Sequence, residues 1–297
     1  MPNVTANGIQ IEYDTFGDKS SPTILLIIGI GTQLIAWDEP LCKKLADSGL
    51  YVIRFDNRDV GLSTKIEEAG IPDINGAIGN LMMGKQIDAP YSLDDMADDA
   101  VGLLDALGIE KAHICGMSMG AAIAQTVAIR HPKRLLSLMP VYGTTGNPEL
   151  PQAKPEAMQA LIGPPPETPE EGIDRFMDTF KIFTGPGFPF DEEWHLEFAK
   201  KTVNRSFYPV GLGRQMLAIM AHGNRKPALA AVSVPTFVFH GSEDPIVPVE
   251  GGKDTAEAVP GAELMIIEGM GHDMPKLGGA WDQITDKMIE FTNKIVS

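Results

Sequence analysis

The stretch "AHICGMSMGAAIAQTVAIRHP", residues 112–132, passes from an apolar β-rich run through a glycine-flanked serine into an alanine-rich helical segment. Ser118 stands at the centre of G-x-S-x-G, with Gly116 and Gly120 two residues to either side, where side chains would collide in a tight turn. A serine on a sharp strand-to-helix turn is lifted clear of the sheet and has a helix N-terminus beneath it, as in a nucleophile elbow. The pattern is short enough to arise by chance. Ser118 reads as a nucleophile only if the rest of the chain supplies a base and an acid to activate it.

Around this stretch, short apolar runs alternate with helical patterns. "GIQIEYDTFG" (8–17) alternates like a strand with one exposed face, whereas "PTILLIIG" (22–29) and "LYVIRFD" (50–56) are continuous, as strands buried on both faces should be. "WDEPLCKKLADSGL" (37–50) reads as a helix ending near Gly49. "SLDDMADDAVGLLDALGI" (92–109) opens on a capping-box pair, Ser92 and Asp95, and places Leu93, Met96, Ala100, Leu103, Leu104 and Leu107 on one stripe. Strands are expected at "LLSLMPVYG" (135–143), "PTFVFHG" (235–241) and "AELMIIEG" (262–269), a helix at "GGKDTAEAV" (251–259), and a last helix over about 279–295. The alternation indicates a mostly parallel sheet with helices on both faces. Two stretches interrupt it. Residues 64–91 read as a loop with the short apolar segment "NLMMG", and residues 147–230 are proline-rich and helical. The expected division is therefore a core of 1–146 and 231–297 with a helical lid, 147–230, inserted between sheet strands, where it would cover the strand ends that bind ligands in such sheets.

The chain's 297 residues suffice for a large core, and 43% hydrophobic with 22% charged residues is an ordinary globular balance. The net charge of −16, spread along the chain, disfavours nucleic acid and anionic membrane surfaces as partners. "TILLIIGIG" is too short to span a bilayer, and the N-terminal residues lack the pattern of a secretory signal. Cys42 and Cys115 imply no disulfide framework, so a cytoplasmic protein is expected. No cysteine–histidine spacing suits a metal and no phosphate-binding loop is present, so no cofactor is expected. The expected partner is a small molecule, met by a monomer or homodimer.

The base for Ser118 is sought among six histidines. His113 lies inside a strand and His131 at a helix end; His195 and His222 fall in the inserted segment without a motif; His240 ends a strand. His272, in the loop "GMGHDMP" just after the last strand, is placed to reach over the strand ends. The acid should leave a strand end between elbow and base. "VFHGSEDPIVP" offers Glu243 and Asp244, and Asp244 is restricted by the following proline. Asp56, in "DNRDVGLS", precedes the serine and reads instead as a carboxylate bonding backbone amides in its own turn. An oxyanion needs two amide donors: Met119 N–H, next to the nucleophile, and one from "IIGIGTQ", assigned to Ile30. Met117 and Met119 bracket the serine, Met270 and Met274 bracket the histidine, and Met216 and Met220 fall in the inserted segment. Met117, Met216, Met220 and Met270 are thus candidates for an apolar pocket wall.

The elbow "GMSMG", the turn "DNRDVGLS", "HGSEDPIVP" and "GMGHDMP" together resemble the α/β-hydrolase fold, in order and context, from about residue 4 to 293. With "LLIIGIGTQLIAW", they are most similar to the bacterial carboxylesterase branch that includes the aclacinomycin methylesterases. The resemblance implies a triad of Ser118, Asp244 and His272, oxyanion amides on Ile30 and Met119, and hydrolysis of short to medium acyl or small alkyl esters through an acyl-enzyme. Lactonase, thioesterase, perhydrolase and carbon–carbon hydrolase activities share those motifs, as does a non-catalytic receptor on the same fold. One departure is visible. Many relatives carry His-Gly before the oxyanion residue, where this chain has Ile28-Gly29.

Overall fold

The computed structural model describes residues 1–296. Eight strands form one sheet: β1 (Asn3–Ala6), β2 (Ile9–Phe16), β3 (Thr23–Ile27), β4 (Tyr51–Phe55), β5 (Ala112–Met117), β6 (Leu135–Val141), β7 (Phe237–Gly241) and β8 (Glu263–Ile267). Their order is β1-β2-β4-β3-β5-β6-β7-β8. β1 pairs antiparallel with β2, and β2 with β4; every other pairing is parallel. The sheet is mostly parallel and flanked by helices, as the alternation of strands and helices predicts. β1 had no clear expectation in the sequence. It exists because Asn7 and Gly8 both take positive φ (47° and 80°), the conformation of a type I′ hairpin turn.

The helices are α1 (Glu39–Asp47), α2 (Ile74–Met82), α3 (Leu93–Leu107), α4 (Met119–Arg130), α5 (Pro155–Ile162), α6 (Pro169–Phe183), α7 (Glu192–Arg205), α8 (Val210–His222), α9 (Lys226–Leu229), α10 (Glu250–Ala258) and α11 (Ala280–Val296). β3 shows why its sequence is continuously apolar. Leu25 and Ile27 pack with α3 and α4 on one face, and Ile24 and Leu26 pack with α1 and α11 on the other. α3 starts on the Ser92–Asp95 capping box and stops at Gly108, whose φ is 73°. α2 lies where a loop was expected. Asn75, Gly76 and Gly79 give it poor helix propensity, and its start depends on Asp73, whose side chain accepts from Gly76 N–H.

Helices α5–α9 all fall between β6 and β7 in the chain, with no strand among them. Buried polar contacts fasten them to the loops at the strand ends of the sheet: Arg205 to Asp56 at 2.7 Å, Arg214 to Asp59 at 2.9 Å, and Gln215 to Arg58 O and Gly31 N. Among the described residues, no helix is long and apolar enough to cross a membrane.

Candidate active site

Ser118 joins β5 to α4 with φ 55° and ψ −119°, a conformation rare outside glycine. The flanking glycines permit it. A Cβ on Gly116 would strike the Gly120 carbonyl, and one on Gly120 would strike the Ile27 carbonyl of β3. The Ser118 N–H donates to Val141 O at 3.0 Å, which ties the strained turn to β6.

Around it the two other sequence candidates converge. His272 Nε2 is 2.8 Å from Ser118 Oγ, and His272 Nδ1 is 2.6 Å from Asp244 Oδ2. The other carboxylate oxygen, Oδ1, accepts from Ile246 N–H at 2.9 Å and Val247 N–H at 2.8 Å. An ionised carboxylate only accepts, so the imidazole proton sits on Nδ1 and Nε2 is free to accept from the serine hydroxyl. Asp244 and His272 are both buried.

The loop bearing His272 is held by the inserted segment rather than swinging freely. His272 N–H donates to Phe183 O at 2.6 Å, Gly271 N–H to Thr184 O at 3.0 Å, and Gly187 N–H to Gly269 O at 2.9 Å. Above and beside the imidazole lie Tyr142, with ring centroids 4.5 Å apart, and Phe183, edge-on at 5.5 Å. Tyr142 has φ 37°, and its hydroxyl donates to Met117 Sδ at 3.0 Å. Burial, with the carboxylates of Asp273 and Asp244 nearby, pushes its phenol well above the ordinary value, so it stays neutral. Burial lowers the His240 imidazole, whose Nε2–H donates to Val247 O at 2.8 Å beside the Asp244 turn. Neither Tyr142 nor Phe183 was singled out from the sequence, because a bulky residue after a strand or at a helix end carries no local mark of what it will cover.

The remaining candidates separate. The N–H groups of Ile30 and Met119 have no hydrogen-bond acceptor among the described residues; Met119 is the first residue of α4, where the amide has no partner within the helix. A cavity of about 410 Å³ opens over Ser118 and His272, and Ile30, Met117 and Met216 line it. Met220 and Met270 do not. Met220 packs at the α2–α8 contact, and Met270, within the histidine loop itself, is fully buried in the core. In their place the cavity has an aromatic wall from α6 and α7: Phe176, Phe180, Phe183, Trp194 and Phe198. Phe176 stacks on Phe180 at 4.3 Å and Trp194 on Phe198 at 5.1 Å. Asp56 takes the role expected of it at Leu62 N–H, within its own turn, but it also accepts from Leu34 N–H in the loop after β3 and pairs with Arg205. Among the described residues, no group of three or more His, Cys, Asp or Glu side chains is arranged to hold a metal ion.

A family model described as the alpha/beta hydrolase fold matches residues 22–278. Over 294 residues the chain is 27% identical to a rhodomycin D methylesterase of Streptomyces sp. (strain C5), covering 92% of each protein. It is 25% identical over 275 residues to 3-oxoadipate enol-lactonase 2 of Acinetobacter baylyi, covering 89% of this chain and 87% of that one. Among solved structures, the enol-lactonase from Burkholderia xenovorans LB400 superposes with a TM-score of 0.73 at 21% identity, covering 98% of this chain and all of the other (100%).

Proposed function

This chain belongs to the α/β-hydrolase fold family, and we propose that it cleaves carboxylic esters through an acyl-enzyme on Ser118. The observation that carries the reading is the hydrogen-bond relay from Ser118 Oγ to His272 (2.8 Å) and on to Asp244 (2.6 Å). His272 Nε2 takes the hydroxyl proton as Ser118 attacks the ester carbonyl. The tetrahedral oxyanion faces the Ile30 and Met119 N–H groups, which have no other acceptor to release. Collapse expels the alcohol, which takes its proton from His272; water then repeats the sequence and frees the acid. Asp244 keeps the proton on Nδ1 and stabilises the imidazolium.

The inserted helices α5–α9 act as the cap of this site, and Met117 and Met216 form part of its wall. The apolar and aromatic lining suits uncharged esters, with a short to medium acyl chain or a small alkyl alcohol, and the methylesterase relative supports a small alcohol. The enol-lactonase relative favours a second substrate form, the internal ester of a lactone, cleaved by the same steps. The two buried, unpaired thiols, Cys42 and Cys115, fit a reducing cytoplasm.

Hydrolysis of p-nitrophenyl acetate and butyrate by the wild-type chain and by Ser118→Ala tests the proposal. Turnover that vanishes in the variant is expected. Equal turnover in both, or none in either, overturns it.

A further inference from the structure

The loop after β3 makes a β-turn over Gly29–Thr32, with Thr32 N–H 3.5 Å from Gly29 O and Gly31 at φ 64°. Positive φ at the third position is what a type II turn requires, and types I and II differ by a flip of the central peptide, here Ile30–Gly31. The turn lies against the nucleophile. A Cβ on Gly29 would be 3.3 Å from Ser118 Cβ. The Ile30 N–H belongs to the preceding peptide, Gly29–Ile30, so rotation of that peptide changes where the N–H points relative to Ser118, and the seating of the central peptide limits that rotation.

Two side chains hold these peptides. Thr32 Oγ1 donates to Gly29 O at 2.9 Å. That carbonyl belongs to the same planar unit as the Ile30 N–H, so anchoring the oxygen fixes the direction of the amide. The same bond polarises the peptide and strengthens its N–H as a donor. The next peptide is held from the cap. Gln215 of α8 accepts from Gly31 N–H at 2.8 Å through Oε1 and donates from Nε2 to Arg58 O at 2.8 Å. Gln215 is fully buried, so no water replaces either bond. One turn earlier on α8, Leu212 covers Gly31; a Cβ there would be 2.7 Å from Leu212 Cδ1.

We infer that Thr32 and Gln215 are positioning residues for the Ile30 oxyanion amide, and that the seating of α8 is a condition for that amide to be aimed. The inference rests on the ester-hydrolase reading and on Ile30 as a donor. Both braces act on the backbone of the turn, and Thr32 also lines the cavity.

The test compares wild type with Thr32→Val, Thr32→Ser and Gln215→Met. It measures kcat and KM on p-nitrophenyl butyrate, inhibition by an alkyl trifluoromethyl ketone, and thermal midpoints. The ketone forms a Ser118 hemiketal whose oxyanion needs the same amides. Thr32→Val and Gln215→Met are expected to lower kcat by about 10- to 100-fold, with KM within about 3-fold, and to weaken the ketone by a matching factor. Thr32→Ser, which keeps the hydroxyl, is expected to stay near wild type. Unchanged kcat in Thr32→Val and Gln215→Met overturns the inference. So does a loss in Thr32→Ser equal to that in Thr32→Val, or a loss of kcat that tracks the thermal midpoint with ketone affinity unchanged. A wild-type chain without ester turnover overturns the ester-hydrolase reading and the inference with it, whereas an active wild type keeps the two apart.

Discussion

The carboxylate of Asp56 meets the guanidinium of Arg205 at 2.7 Å, joining the turn after β4 to the last residue of α7. Asp56 is fully buried, and its two oxygens also accept from Leu34 N–H at 2.7 Å and Leu62 N–H at 2.8 Å. Arg205 reaches further, donating to Gln33 Oε1, whose own Nε2 donates to Thr202 O and Ser206 O. One buried carboxylate thus organises the loop after β3, the turn after β4 and the end of α7.

Removing one partner of a buried pair leaves an uncompensated charge, which typically costs about 3–5 kcal/mol. Arg205→Met is therefore expected to destabilise the chain by roughly 3 kcal/mol, since Asp56 keeps its two amide donors. Urea unfolding of wild type and variant measures this directly. A change below about 1 kcal/mol, the worth of an exposed pair, would mean that the contact is solvated.

Asp244→Asn is expected to lower kcat by about ten-thousand-fold with the fold intact, because an amide NH₂ facing His272 favours the tautomer whose Nε2 carries the proton. Nε2 then has no lone pair for the serine hydroxyl. Steady-state kinetics on an activated ester, with circular dichroism as the folding control, decide it. Turnover near wild type would remove Asp244 from the relay.

Gly120→Ala puts a methyl group into the Ile27 carbonyl, and backbone cannot yield as a flexible side-chain end can. A destabilisation of about 3 kcal/mol or more is expected, from overpacking and displacement of the elbow together. Gly49→Ala is the contrasting case: nothing lies within 4 Å of its Cβ, so only the penalty of its positive φ, 97°, applies. Thermal midpoints of both variants should fall in that order.

Stability should decline in mild acid. His113 is fully buried on β5, with Nδ1 2.8 Å from Ser137 Oγ, and burial lowers its pKa to about 4 from an ordinary value near 6.5. Between those values the unfolded chain binds the proton and the folded chain does not. The contribution is thus full above about pH 6.5 and is lost as pH falls toward 4, by roughly 3 kcal/mol in all. Burial lowers His240 and His222 as well, adding to the same slope. Urea midpoints from pH 7 to 4.5 should fall less steeply in His113→Gln than in wild type. Parallel slopes would count against a neutral buried His113.

The legible parts of this molecule are those encoded over a few neighbouring residues. Gly116-x-Ser118-x-Gly120 between an apolar run and a helix carries its own geometry, and the turn chemistry around Asp244-Pro245 and Gly271-His272 marks strand ends facing the same way. His272 lies within hydrogen-bonding reach of both Ser118 and Asp244. What escaped reading depends on distant packing. Met220 and Met270 looked like wall residues beside Met216 and Met274, yet which way a side chain points is decided by neighbours that local sequence does not name. The aromatic wall has a helical spacing, Phe176, Phe180 and Phe183, that reads equally as buried core. The pairing of Asp56 with Arg205 spans half the chain, and nothing local to either residue announces the other.

The backbone bonds between Phe183–Gly187 and Gly269–His272 have a practical consequence for redesign. They splice part of the cavity wall onto the loop that carries the His272 imidazole. Replacing Phe176 or Phe198 reshapes the cavity while leaving the imidazole on its anchor, so libraries that seek new ester preferences belong on those two helical faces. Insertions or prolines between residues 183 and 187 would change the cavity and the seating of His272 at one stroke, and a screen that varied them together could not tell a changed pocket from a displaced imidazole.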